Sequence, residues 1–155
     1  MKATRLFDLL ETQVKDFPSA PFLTSKVNNT WVTYNFQETQ QLANRASQLL
    51  LDLGLKKDDT VALISANRPE WNFIDLGAQQ IGVIVVPMYP TIAERDYEYI
   101  FNDAAIQYAF IDSSVVYEKV KPLLGRIASF KDIYSFDALP NTKHFIDSLP
   151  KTVDE

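Results

Sequence analysis

From Thr60 onward, short apolar runs with the character of strands alternate with segments that have the spacing of helices. Strands are predicted at Thr60–Ser65, Val83–Val86, Tyr108–Asp112 and Lys131–Phe136. Because one helical segment separates each pair of strands, we expect parallel strands joined by right-handed crossovers. The predicted fold class is α/β, with a mostly parallel sheet that carries helices on both faces.

The strand at Val83–Val86 is apolar at every position, which is typical of a strand covered on both faces. Pro87 cannot donate a ladder hydrogen bond, so we expect the strand to end there. Before it, Pro69 fits the first position of a helix. The predicted buried face of that helix consists of Trp71, Ile74, Ala78 and Ile81.

The first sixty residues predict a helix, a hairpin and a second helix. Thr4–Phe17 has apolar residues at helical spacing, namely Leu6, Leu9, Leu10, Val14 and Phe17. Phe22–Lys26 and Thr30–Tyr34 are strand-like, and the asparagines between them tolerate the positive φ of a tight turn. Asn35 with Glu38 predicts a helix start, and Gly54 predicts its end.

Composition limits the classes of function. The chain has 155 residues, 46% of them hydrophobic, which suits a globular domain with a substantial core. Its formal charge of -5 offers no basic stripe, so nucleic acid is not expected as a partner. It contains no Cys, which excludes a thiolate site. It shows no signal peptide and no apolar window that could span a bilayer. We expect a cytoplasmic protein, with peripheral membrane contact left open.

Familiar catalytic arrangements are poorly represented. The glycines are Gly54, Gly77, Gly82 and Gly125, and their spacing matches neither a dinucleotide loop nor a P-loop. Gly54 and Gly82 are interpreted as helix caps, and Gly77 as a close helix-to-strand contact. His144, the single histidine, has no nucleophile-elbow motif to serve. Asp58 and Asp59 are interpreted as turn residues and not as metal ligands.

The segment from Pro87 to Thr91 follows a predicted parallel strand, where open α/β sheets place ligands. Tyr89 therefore has two interpretations, as a residue that lines a pocket or as one that covers the sheet edge. Thr91, with Glu94 three residues later, is explained as a helix cap. Trp71 has the same two interpretations, and the core is favoured. From residue types alone, the structural explanation is preferred for all three.

An ordered set of short motifs adds a resemblance to these physical arguments. No single motif is specific, but their order is. The set is Trp31-Val32-Thr33-Tyr34, Leu53-Gly54-Leu55, Asp58-Asp59-Thr60-Val61-Ala62, Asn67-Arg68-Pro69-Glu70-Trp71, Asp75-Leu76-Gly77-Ala78, Gly82, Val86-Pro87-Met88-Tyr89-Pro90-Thr91 and Ser135-Phe136-Asp137. This order resembles the start of the adenylate-forming enzymes of the AMP-binding superfamily. It is most similar to the long-chain fatty acyl-CoA synthetases. Lys57-Asp58 departs from the Gly-Asp that many members carry.

The resemblance implies a ligase that joins a fatty acid to coenzyme A through an acyl-adenylate, using ATP and Mg²⁺. Residues 1–155 would form the N-terminal part of its large domain, and residues 137–155 are predicted to be an irregular polar tail. The family's phosphate loop, metal-holding element, ribose-binding Asp and mobile Lys have no counterpart in these residues. We therefore expect this chain alone to be inactive, with no catalytic, cofactor or metal residues. Tyr89 and Thr91 are expected near the substrate entrance of the parent.

Several partners and alternatives follow. The expected partners are the remainder of the large domain, the C-terminal domain and the fatty acid. Apolar surface that normally meets the missing part would cause aggregation or dimer formation, and the N-terminal helix with the hairpin offers another oligomer contact. The alternatives are another acyl- or amino-acid-activating branch of the superfamily, or a free-standing α/β binding or assembly module without catalysis.

Overall fold

The computed structural model describes residues 4–153, and these divide into two compact units. Unit 1 contains residues 4–54, 67–81 and 150–153, and unit 2 contains residues 55–66 and 82–149. The chain thus passes from the first unit to the second and returns twice. The elements of unit 1 are α1 (Leu6–Asp16), β1 (Pro21–Val27), β2 (Thr30–Asn35), α2 (Phe36–Asp52) and α3 (Pro69–Ile81).

The hairpin of unit 1 forms as the sequence predicts. β1 and β2 pair in antiparallel fashion, and the turn residues Asn28 and Asn29 have φ values of 47° and 62°. The start of α2 is also confirmed. The Asn35 side chain accepts from the Glu38 amide at 2.8 Å, and the Glu38 carboxylate accepts from the Asn35 amide at 2.8 Å. Local side-chain chemistry therefore fixes both features.

The contact between α2 and α3 explains Gly77. A Cβ atom there would lie 2.7 Å from the Ala43 carbonyl oxygen and 2.9 Å from both the Ala46 Cβ and the Ser47 amide nitrogen. The Ser47 hydroxyl donates to the Gly77 carbonyl oxygen across the same contact, at 2.7 Å. The prediction of a helix-to-strand contact at Gly77 is thus wrong, because this glycine faces another helix.

α1 buries less of its apolar face than predicted. Leu10 is buried and Val14 partly so, whereas Leu6, Leu9 and Phe17 are exposed. The apolar residues cover a wider arc of the helix than unit 1 packs against, so only the side with Leu10 and Val14 is covered. Unit 1 therefore has exposed apolar surface on α1. That a missing part of the parent covers such surface, and that the chain aggregates through it, stay predictions.

Unit 2 is a five-stranded parallel sheet with the strand order β4-β3-β5-β6-β7. The parallel α/β arrangement is therefore confirmed. Its elements are β3 (Thr60–Ile64), β4 (Ile84–Met88), α4 (Glu94–Asp103), β5 (Tyr108–Ile111), α5 (Ser114–Val120), β6 (Asp132–Ser135), β7 (Lys143–His144) and α6 (Phe145–Ser148), with a 3₁₀ turn at Lys121–Leu123.

Helices cover both faces of this sheet, as predicted. On one face, Ala62, Ile64 and Ile111 share a buried cluster with side chains of α4 and α5. On the other face, the Phe110 ring of β5 meets the Phe145 ring of α6 edge-on, with centroids 5.9 Å apart. All four residues of β5 are buried, so this strand is covered on both faces, because successive side chains point to opposite sides of the sheet.

β4 lies at an edge of the sheet, which corrects two predictions. Ile84 is 48% exposed, so the strand is not covered on both faces. The strand also continues through Pro87 to Met88. The Ile84 amide donates to the Asp59 carbonyl oxygen on the β3 side. Backbone N–H positions alternate in direction along a strand, so the backbone nitrogens of Val85 and Pro87 point away from β3. At this position Pro87 needs no N–H group, and an edge strand tolerates it.

Residues 137–153 contain more structure than the predicted irregular tail. β7 pairs with β6, and Phe145 at the start of α6 is completely buried. A two-residue strand and a four-residue helix are too short to show a hydrophobic period, so sequence periodicity missed them. The last residues of that predicted tail, 154 and 155, lie outside the described residues.

Candidate functional site at the carboxyl ends of the strands

The strand order creates a switch point in unit 2. The chain moves from β3 to β4 on one side, and then to β5 on the other side of β3. The segments that leave the carboxyl ends of these strands diverge there, and such crevices are where open α/β sheets bind ligands. The candidate site consists of the residues that follow β3, β4 and β5.

The segment after β4, Tyr89–Ile92, projects two of the predicted site residues. Tyr89 is 79% exposed, and Thr91 is exposed as well. Thr91 does not cap α4, since the N-cap residue is Ala93 and no side chain caps it. The prediction of a Thr91–Glu94 capping box is therefore wrong, because α4 begins at Glu94 and leaves Thr91 outside the N-cap position. Thr91 is thus left without the capping role that was predicted for it, and the Tyr89 side chain is largely exposed.

Two side chains from neighbouring helices fasten this segment. The Tyr97 hydroxyl donates to the Tyr89 carbonyl oxygen at 2.8 Å. The Lys119 ammonium donates to the carbonyl oxygens of Pro90 and Ile92, at 3.1 and 3.2 Å. Three carbonyl groups within four residues therefore have fixed donors, although this is an exposed loop. Neither donor was predicted from the sequence, because no local motif marks Tyr97 or Lys119.

Asp112 connects the ends of β3 and β5 at the switch point. Its Oδ2 atom accepts a hydrogen bond from the Ala66 amide at 2.8 Å. Its Oδ1 atom is buried, and no donor among residues 4–153 reaches it. Burial, together with the negative charge of Asp112, raises the pKa of Tyr97 to about 12. The Tyr97 hydroxyl therefore keeps its proton at neutral pH and remains a donor.

Trp71 lies elsewhere, in unit 1, and is not the core anchor that was expected. It is partly buried and lines a shallow cleft of about 230 Å³ with Asn67, Arg68 and Asn72. The neighbouring Phe73 is completely buried instead and meets the Tyr34 ring edge-on at 5.2 Å. Ile74 and Ala78 of the predicted face are buried, as expected. Phe73 and Gly77 complete the buried face in place of Trp71 and Ile81, which are only partly buried.

The other polar residues considered from the sequence have structural roles. His144 contacts Asp147 through Nδ1 at 2.8 Å and the Phe136 carbonyl oxygen through Nε2 at 3.0 Å. Asp58 has a φ of 72°, as expected for a turn, and Asp59 accepts from the Lys56 amide. Within residues 4–153, no three His, Asp or Glu side chains group in a way that could hold a metal ion.

The described helices are too short or too polar to cross a membrane.

The chain matches the family model of the AMP-binding enzyme over residues 10–154. It belongs to the AMP-binding enzyme family. The resemblance seen in the ordered motifs is thereby confirmed, and the family accounts for the combination of a hairpin unit and a parallel-sheet unit.

Curated relatives from this family are CoA ligases by name. Fatty acyl-CoA synthetase A of Dictyostelium discoideum is 32% identical over 110 residues, which are 71% of this chain and 16% of that protein. The human long-chain-fatty-acid–CoA ligase ACSBG1 is 28% identical over 118 residues, or 76% of this chain and 16% of the relative. The chain thus spans about a sixth of the length of these AMP-binding enzymes.

Solved structures agree with the fold. A putative long-chain-fatty-acid CoA ligase from Rhodopseudomonas palustris superposes with a TM-score of 0.81 at 21% identity, covering 97% of this chain and 37% of that one. Coronafacic acid ligase from Pectobacterium brasiliense gives a TM-score of 0.82 at 14% identity, covering 97% and 30%. At this identity the likeness establishes the architecture of the AMP-binding enzyme alone.

Proposed function

We propose that this chain is the N-terminal part of the large domain of an ATP-dependent long-chain fatty acid–CoA ligase. The observation that carries the proposal is the 32% identity to Fatty acyl-CoA synthetase A over 71% of the chain. The ligase would form an acyl-adenylate from a fatty acid and ATP, release pyrophosphate and transfer the acyl group to coenzyme A. Its location would be cytoplasmic or peripheral to a membrane.

The described residues do not fit the ATP phosphates or Mg²⁺. The four glycines of the chain form no Gly-rich phosphate loop, since Gly82 is followed by Val83-Ile84 and not by Lys and Ser or Thr. No acidic cluster that could hold a metal ion occurs among residues 4–153. We therefore assign ATP, Mg²⁺ and coenzyme A binding to sequence beyond this segment, and we derive no catalytic step from it. The 155-residue chain alone is expected to show no adenylation activity.

Tyr89 and Thr91 are proposed to contact the substrate at its entrance. They are exposed at the carboxyl end of β4, beside the switch point of the sheet. Neither side chain is needed by the local fold, which leaves both available for a ligand. A Tyr89→Phe variant of the full-length protein should change the KM for the fatty acid. Tyr99→Phe, at an exposed position of α4, is the matched control.

The decisive experiment follows the reading frame beyond codon 155 and assays the full-length product. Pyrophosphate exchange that requires ATP and a fatty acid, followed by transfer to coenzyme A, would support the ligase. A stop codon after Glu155 would overturn the proposal. In that case a non-catalytic binding or assembly module becomes the better account.

A different substrate class within the family is the second candidate. Structural neighbours include an anthranilate CoA ligase with a TM-score of 0.79 at 19% identity, as well as the coronafacic acid ligase. These two ligases are named for carboxylic acids other than long-chain fatty acids. A panel of fatty, aromatic and amino acids in the same exchange assay separates the two candidates, because the long-chain proposal requires the highest kcat/KM with the fatty acids.

A further inference from the structure

The loop Tyr89–Ile92 has exposed side chains, but its backbone carbonyl groups are hydrogen-bonded to side chains of α4 and α5. The Tyr89 side chain is 79% exposed, whereas the Tyr89 carbonyl oxygen accepts two hydrogen bonds, from the Tyr97 hydroxyl at 2.8 Å and from the Ile92 amide at 3.4 Å. The next carbonyl oxygens, those of Pro90 and Ile92, accept from Lys119. Exposed loops usually leave such groups to water.

The two donors come from different helices, and both are held by the core. Tyr97 of α4 is completely buried, and Lys119 of α5 is partly buried. Its neighbours Val116 and Val120 on α5 are completely buried. A buried tyrosine and a partly buried lysine have few alternative positions, so their donors are already placed before any ligand arrives. The backbone of the loop is therefore held in place by its hydrogen bonds to α4 and α5.

We propose that Tyr97 and Lys119 are positioning residues, which fix the backbone of Tyr89–Ile92 so that Tyr89 and Thr91 face the fatty acid substrate. This inference rests on the proposed ligase function. Neither residue contacts the substrate in this scheme. Each acts through backbone carbonyl groups, and a pre-formed loop avoids the ordering cost that a mobile loop would add to binding.

The test uses the full-length ligase with Tyr97→Phe, Lys119→Met and Lys119→Arg. Tyr97→Phe removes one hydrogen bond and should raise the KM for the fatty acid about fivefold, while kcat stays within about twofold. Lys119→Met removes two charge-assisted bonds and should raise it about tenfold or more. Lys119→Arg retains N–H donors and should restore most of the affinity. Tyr99→Phe and Lys121→Met are the matched controls, at exposed positions near each residue.

A second measurement reads the loop directly. Amide hydrogen exchange at residues 88–93 should accelerate about fivefold in Tyr97→Phe and more in Lys119→Met, with the controls unchanged. Faster exchange with an unchanged KM would overturn the positioning role, and so would unchanged exchange. A wild-type protein without fatty-acid-dependent ligase activity would instead overturn the proposed function, so the two failures are distinguishable.

Discussion

The contact at Gly77 allows a quantitative test of how unit 1 is held together. In Gly77→Ala, the new methyl group would lie 2.7 Å from the Ala43 carbonyl oxygen, and 2.9 Å from the Ala46 Cβ and the Ser47 amide nitrogen. The distance to the Ala46 Cβ is about 0.6 to 1.1 Å below the optimum for two carbon atoms. Two of the three neighbours are backbone atoms of α2, so no side chain can rotate away and the helices must separate.

The expected loss follows from two opposing terms. Overpacking a well-packed contact costs about 1–3 kcal/mol. Alanine is favoured over glycine inside a helix by about 0.8–1.0 kcal/mol. Because all three contacts lie below 3.0 Å, the upper part of the overpacking range, about 2–3 kcal/mol, applies. The net prediction is a loss of about 1–2 kcal/mol in the free energy of unfolding. At a urea slope of about 2 kcal/mol/M, this lowers the unfolding midpoint by about 0.5–1 M.

Tryptophan fluorescence is a suitable assay, because both tryptophans, Trp31 and Trp71, lie in unit 1. Gln41→Ala, at an exposed position of α2, is the control and should stay within about 0.5 kcal/mol of the wild type. If Gly77→Ala has an equal or higher midpoint with the same slope, the tight α2–α3 contact does not limit stability, and the reasoning from the Cβ distances is refuted.

Other predictions concern caps and titration. Asn35→Ala removes the side-chain oxygen that accepts from the Glu38 amide and should cost about 1 kcal/mol in the same urea assay, and an unchanged midpoint would contradict the cap. The pKa of Tyr97 is raised from 10.0 to about 12, so the unfolded state loses this proton first. Stability should therefore fall between pH 10 and 12, and Tyr97→Phe should flatten that slope. The pKa of Asp8 is lowered, chiefly by the hydrogen bond from Arg5. Its contribution is present above the ordinary carboxyl pKa and is lost as pH falls, so Asp8→Asn should flatten the decline in thermal stability below about pH 4.

Features that depend on adjacent residues were predictable. The Asn28-Asn29 turn, the Asn35 cap and the alternation of strands and helices from Thr60 onward all appear in the structure. In the turn and the cap, the residues that carry the signal also make the contact, within three or four positions of the chain. The alternation is carried by the local hydrophobic pattern of each element. The ordered motifs then identified the family, which no local pattern specifies.

Features that depend on a distant neighbour were not predictable. Apolar residues at Ile84 and Trp71 indicate a surface that prefers burial, but the pattern does not state whether anything covers that surface. Pro87 likewise stops a strand only when its nitrogen faces a partner, and at the outer side of β4 it does not. The hydrophobic pattern therefore identifies residues that prefer burial, and it leaves open which of them another element covers.

The candidate site shows the same limit more severely, because its organising bonds each join a side chain to a backbone group. Lys119 donates to the carbonyl oxygens of Pro90 and Ile92 across 29 and 27 positions, and Asp112 accepts from the Ala66 amide across 46. A backbone group has no residue type, so no motif records these pairs. Only the strand order, which brings the carboxyl ends of β3, β4 and β5 together, makes them neighbours. The exposed residues of this site were therefore open to sequence reasoning, whereas the residues that hold them in place required the fold.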